Sequence, residues 1–146
     1  MLFELKKFVS LNPTSQLIKL TKDERQKQFI KELSKSCNKG DSVIYYLVLE
    51  NNICGFVGLS ASKIDSIPCI NVEYIYVVED YRKMSYVDLD NQKISEFLIS
   101  FCISLAVKWK NSIGLRWLTL MPDNKDLEEF YIETFDFTQY SYHKAN

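Results

Sequence analysis

The sequence predicts an α/β fold, a mixed and mostly antiparallel sheet with helices on both faces. Three observations carry it. Two alternating apolar runs meet at Asn51-Asn52 and read as a hairpin. A third apolar stretch follows, so the early strands pair as consecutive hairpins. A strand, a strongly periodic helix and another strand then come in succession, which is a crossover that lays a helix on the sheet. The element order is β-α-β-β-β-α-β-α-β, and 146 residues suit one domain over 1–146.

Residues 3–9 read as the first strand, followed by the turn signal Asn12-Pro13. Thr21-Lys22-Asp23-Glu24 has capping-box spacing, with Thr21 capping a helix and Glu24 reaching back to its start. That helix sets Phe29, Ile30 and Leu33 on one stripe and ends near Asn38-Lys39-Gly40. Residues 42–50 and 53–60 are the hairpin strands, and Asn at both turn positions tolerates the positive φ of a primed turn. Residues 69–78 are apolar on both faces, which predicts a strand covered on both sides. Residues 92–110 give the clearest helix, with Ile94, Phe97, Leu98, Phe101, Leu105 and Trp109 on the helical period. After Gly114, residues 116–121 form a short strand closed by Pro122-Asp123-Asn124. Residues 126–134 form a last helix and 137–142 a final strand.

Composition narrows the function. The chain is 47% hydrophobic and 25% charged, and its four Gly and three Pro leave no linker or low-complexity tail. A net charge of −1 supplies no field for a polyanion, and the lysines between Lys19 and Lys31 fit a solvated helix face. Nucleic acid is therefore an unfavoured partner. The longest apolar run, residues 97–107, is broken by two serines and is too short for a bilayer. Glu4, Lys6 and Lys7 spoil any signal-peptide pattern, so the expectation is a cytoplasmic protein with no membrane partner. Cys37, Cys54, Cys69 and Cys102 form no CxxC pair, and His143 is the only histidine. No metal site is expected, and a histidine base is nearly excluded.

Two stretches resemble the GNAT acetyltransferase superfamily, over roughly residues 45–142. Val72-Glu73-Tyr74-Ile75-Tyr76-Val77-Val78 running into Glu79-Asp80-Tyr81-Arg82-Lys83 is similar to the family's fourth strand and the start of its pyrophosphate loop. Leu120-Met121-Pro122-Asp123-Asn124, then Phe130-Tyr131 and Phe135-Asp136-Phe137, resembles its fifth strand, following helix and terminal signature. The hairpin ending Cys54-Gly55-Phe56-Val57-Gly58 fits its second and third strands.

The resemblance implies roles. The fourth and fifth strands splay apart, and the pantetheine arm of acetyl-CoA pairs with fourth-strand backbone at Ile75, Tyr76 and Val77. Arg82, Lys83, Met84, Ser85, Tyr86 and Val87 would hold the pyrophosphate, and Asn124 would orient the cofactor near its sulfur. Tyr131 matches the family's general acid. Glu73 is the candidate base: simple alternation puts it on the face of Asn71, Ile75 and Val77, where partial burial would bring a carboxyl towards neutrality. Each residue also has a structural alternative, Glu73 as a rim carboxylate, Tyr131 as a core aromatic and Asn124 as a turn residue.

The loop departs from the family pattern. The family reads Arg/Gln-x-x-Gly-x-Gly/Ala directly before a helix, whereas Ser85 and Val87 occupy the small positions here. Asp88, Leu89, Asp90 and Asn91 then lengthen the loop. Either the loop is extended and still admits the phosphates, or the fold persists with weakened acetyl-CoA binding. The expected activity is acetyl transfer from acetyl-CoA to an amine on a small molecule or protein. A non-catalytic GNAT-like binding module is the alternative. Leu59-Ser60-Ala61 with Ile67-Pro68 faintly resembles a toxin subgroup acting on aminoacyl-tRNA. A homodimer is left open.

Overall fold

The structure is a computed structural model that describes residues 3–7 and 14–139. In chain order its elements begin with β1 (Phe3–Lys7), α1 (Thr14–Ile18), α2 (Glu24–Asn38), β2 (Ser42–Leu49), β3 (Asn52–Ile64) and β4 (Ile67–Val77). They continue with β5 (Ser85–Tyr86), β6 (Gln92–Lys93), α3 (Ile94–Ile113), β7 (Trp117–Leu120) and α4 (Lys125–Phe135). Five strands pair in the order β1-β2-β3-β4-β7, antiparallel throughout except for the parallel β4–β7 pair made by the α3 crossover. The predicted mixed sheet is thus observed.

The sheet is covered on both sides because its strands are apolar on both faces. Leu17 of α1 with Ile30 and Leu33 of α2 packs on Ile44, Phe56 and Tyr76. The opposite face buries Leu47, Val57, Leu59, Ile70 and Val72 under Ile94, Leu98 and Cys102 of α3. Gly58 lets α2 approach closely, since a Cβ there would lie 2.5 Å from Leu33 Cδ1.

Local chemistry moved several boundaries. Asp23, not Thr21, caps α2, its Oδ1 accepting from the backbone N–H of Arg25 at 2.8 Å and of Gln26 at 3.1 Å. The β2–β3 turn falls on Glu50 and Asn51, which both have positive φ, one residue before the expected Asn51-Asn52. Asp65 and Ser66, again at positive φ, turn β3 into β4, so the second hairpin reaches well beyond residue 60. Helix α1 has no strong periodic signal and was not expected. Asp136 takes φ 63° as the C-cap of α4, the left-handed conformation Asp accepts better than most side chains. Of the expected final strand, residues 137–139 carry no strand, and 140–142 lie outside the described residues, as does His143.

One irregularity positions the site. Opposite β3, Gly58 pairs with Tyr74 and Leu59 with Val72, which leaves Glu73 as an extra residue in a β-bulge. The bulge inverts the facing of β4. Ile70 and Val72 lie under α3, and beyond the bulge Ile75 and Val77 take that face while Tyr74 and Tyr76 turn towards α2. The expected shared face of Glu73, Ile75 and Val77 is therefore corrected: Glu73 bonds to Ser42 on the α2 side.

Candidate active site

The pairing of β4 with β7 stops at Val72–Leu120, while β4 runs on to Val77. Beyond that point the strands part, and a cleft of about 440 Å³ opens between them. Its walls come from β4, from the start of α3, from the end of β7 and from α4. The backbone of β4 supplies polar groups here. Val78 donates to Cys54 O on β3, so alternation turns the N–H and C=O groups of Ile75 and Val77 away from β3, towards the cleft. Val77 O accepts from Arg82 Nε at 2.8 Å.

The cleft carries charges of both signs. Arg82, Lys83 and Lys93 line it beside Ile94 and Ser95, the first residues of α3, a helix N-terminus that favours an anion and where Glu96 Oε1 already accepts from the Lys93 N–H at 3.0 Å. Arg82 is also held over the Tyr76 ring, 5.3 Å from its centroid. Glu73, Asp123, Tyr74 and Tyr131 line the cleft too, and supply its carboxylates and phenols.

Glu73 accepts from Ser42 Oγ at 2.9 Å. The Tyr74 hydroxyl donates to Gln26 Oε1 from α2. Burial first, then Tyr76 and Asp123, pushes the Tyr74 pKa up. Tyr131, on α4, is half-buried between Phe130 and Phe137, with ring centroids at 5.5 Å and 6.0 Å. Burial and, secondarily, the Asp123 carboxylate raise its pKa.

Seven of the expected site residues line this cleft: Glu73, Ile75, Tyr76, Val77, Arg82, Lys83 and Tyr131. Met84, Ser85, Tyr86, Val87 and Asn124 are not among its lining residues, and each has a physical reason. Ser85-Tyr86 pairs with Gln92-Lys93, so the long loop folds into its own small hairpin around the turn at Asp90 and Asn91. Tyr86 is buried against the α3-side core and meets Phe3 edge-on at 5.2 Å, and Leu89 is buried beside it. Val87 is 81% exposed and Met84 52%. Asn124 caps α4, its Oδ1 accepting from Leu127 N–H at 2.9 Å.

Sequence reasoning missed Gln26, Tyr74, Lys93, Met121 and Asp123 as cleft residues. Asp123 and Met121 stood inside the quoted Leu120 to Asn124 stretch, and the position of Lys93 at the start of the helix was the available signal for it. A second, larger groove of about 1140 Å³ runs along β7, α3 and α4, and shares Leu120, Met121 and Tyr131 with the first. It lacks Glu73 and the basic group at the α3 N-terminus, so the chemistry gathers in the smaller cleft. No three His, Cys, Asp or Glu side chains among the described residues are grouped to hold a metal ion.

No family model matches the chain, and no curated protein matches it in sequence. Solved structures do. A possible acetyltransferase from Clostridium difficile 630 matches with a TM-score of 0.72 at 12% identity, over 100% of this chain and 97% of that one. The chain has the GNAT acetyltransferase fold. A predicted acetyltransferase from Clostridium acetobutylicum, solved with acetyl-CoA, shares the GNAT fold at a TM-score of 0.65 and 10% identity, over 99% and 96% of the chains. AAC(6')-Iy, in complex with a CoA-linked acetylneamine bisubstrate analogue, matches at 0.63 and 12%, over the full length of both. At these identities the likeness is one of fold; the parting of β4 from β7, with a cleft between them, is the arrangement that the family resemblance implies.

Proposed function

We propose that this protein transfers an acetyl group from acetyl-CoA to an amine. The observation that carries the reading is the meeting of a carboxylate, a phenol, three cationic side chains and a helix N-terminus in the one cleft where β4 and β7 separate. The lining fits the donor molecule: Arg82, Lys83, Lys93 and the α3 N-terminus suit its phosphates, and the outward backbone groups of Ile75 and Val77 suit its amides. Bound acetyl-CoA supplies an activated acyl carbonyl and a thiolate leaving group. Glu73 takes the proton the amine must lose. Tyr131, kept protonated by its burial, gives its hydroxyl proton to the departing sulfur.

The acceptor in this reading is an amine on a small molecule or a protein. A net charge of −1 disfavours a large RNA acceptor. One observation favours a second reading, a GNAT-fold binding module without transferase activity: Tyr86 and Leu89 are buried in the core and anchor the segment in which the family places its phosphate loop.

A thermal shift with acetyl-CoA and with free CoA tests the reading. Ligand at a hundred times its Kd should stabilise the fold by about 2.7 kcal/mol. Mass spectrometry should then find an acetylated product among spermidine, neamine and a peptide with N-terminal Ala. No shift at millimolar acetyl-CoA would sink the transferase reading and favour the second one.

A further inference from the structure

We propose that Ser42 and Ser36 form a hydroxyl relay that positions Glu73 as the base, an inference that rests on the role given to Glu73 above. Ser42 is the first residue of β2 and is 3% exposed. Its Oγ donates to Glu73 Oε1 at 2.9 Å and lies 2.6 Å from Ser36 Oγ, in the last turn of α2. A hydroxyl carries one proton, and an ionised carboxylate only accepts. With the Ser42 proton committed to Glu73, the short serine contact must have Ser36 as donor. The relay therefore runs in one direction, from Ser36 through Ser42 to Glu73, and each donation polarises the next.

The bulge makes such a device necessary. Glu73 is the one residue of its stretch of β4 with no partner on β3, and its side chain is exposed. A long, exposed carboxylate on an unpaired residue has many rotamers open to it. Ser42 reaches it from the neighbouring core and fixes Oε1, which leaves Oε2 to accept the amine proton. An ordinary stitch between α2 and β2 would need only the Ser36–Ser42 contact. The further bond to a carboxylate lining the cleft is what indicates positioning.

The test combines kinetics with a signal from the ligand-free protein. With acetyl-CoA and the fastest of spermidine, neamine and an Ala-peptide, Ser42→Ala should lower kcat about tenfold and leave KM for acetyl-CoA unchanged. In ligand-free protein labelled at glutamate 13Cδ, the Glu73 resonance, assigned through Glu73→Gln, should move in Ser42→Ala. Ser36→Ala, at a half-buried helix position, should produce the same changes in smaller measure. Ser42→Thr, which keeps the hydroxyl, should restore kcat and the resonance. An unmoved resonance, an unchanged kcat, or a KM rising in step with the loss of kcat would overturn the relay. Glu73→Gln separates the two claims. Turnover that survives it defeats the base and the relay together, whereas lost turnover beside a fully active, folded Ser42→Ala defeats the relay alone.

Discussion

Leu89→Ala tests whether the long loop between β4 and α3 is anchored or free. Leu89 is 4% exposed and packs with Tyr86, at 7%, and Ile94, at 1%, in the α3-side core. Truncating a buried Leu to Ala costs about 2–5 kcal/mol, and a loop position that can partly collapse belongs near 2 kcal/mol. In global unfolding that amounts to a Tm lower by roughly 6 °C for a chain of this size. Locally, the loop closes on itself through Asn91 N–H to Tyr86 O at 2.9 Å and Asp90 N–H to Val87 O at 3.1 Å. If Leu89 holds that closure, its loss should speed amide exchange at Asn91 about 30-fold. Exchange followed by NMR beside a melting curve reads both effects. Unchanged exchange at Asn91 with an unchanged Tm would refute the anchoring. A lower Tm with Asn91 still protected would place Leu89 in the core and outside loop closure.

Four further outcomes are expected. Glu73→Gln should lower kcat by about 10²–10⁴-fold while acetyl-CoA still raises the Tm. Asp123→Asn should shift the alkaline limb of kcat to lower pH: burial and, secondarily, Asp123 hold the Tyr131 pKa above its ordinary 10.0, so removing the charge lets the phenol ionise earlier. Burial raises the Cys54 thiol to about 11 and the Cys102 thiol to about 12, from 9.0. Their contribution to stability is therefore complete below pH 9 and is lost as pH rises through the folded values, at about 1.4 kcal/mol per pH unit for each thiol. Denaturant titrations at stepped pH should show that slope, and Cys102→Ala should flatten it. Gly58→Ala should cost about 1–3 kcal/mol by driving a methyl into Leu33, and Leu33→Ala in the same chain should recover part of that loss.

Most of the sheet was legible because the two-residue alternation of 42–50 and 53–60 and the helical period of 92–110 each report one physical state. Turn positions drifted by a residue where Glu50 accepted a positive φ that Asn52 was expected to take. The bulge at Glu73 escaped because alternation carries no mark for one extra residue, and the error then spread to the facing of Ile75 and Val77. At the loop, the sequence displayed the loss of glycine but not the gain. Tyr86 was expected to hold the pyrophosphate and Leu89 only lengthened the loop, yet these are the residues that tie the hairpin to the core. Asn124 stood in a familiar signature, yet its oxygen is committed to the first turn of α4.

The separation of β4 from β7 also divides a single strand into two kinds of backbone. Up to Val72, β4 has a strand on each side; past the bulge, every second residue bonds to β3 and the residues between look into the cleft. Ligand-free protein should therefore exchange its amides in a beat along this segment, with Tyr76 and Val78 slow and Ile75 and Val77 fast. A molecule lying against the strand would even out the beat by standing in for the neighbour that β7 ceases to be.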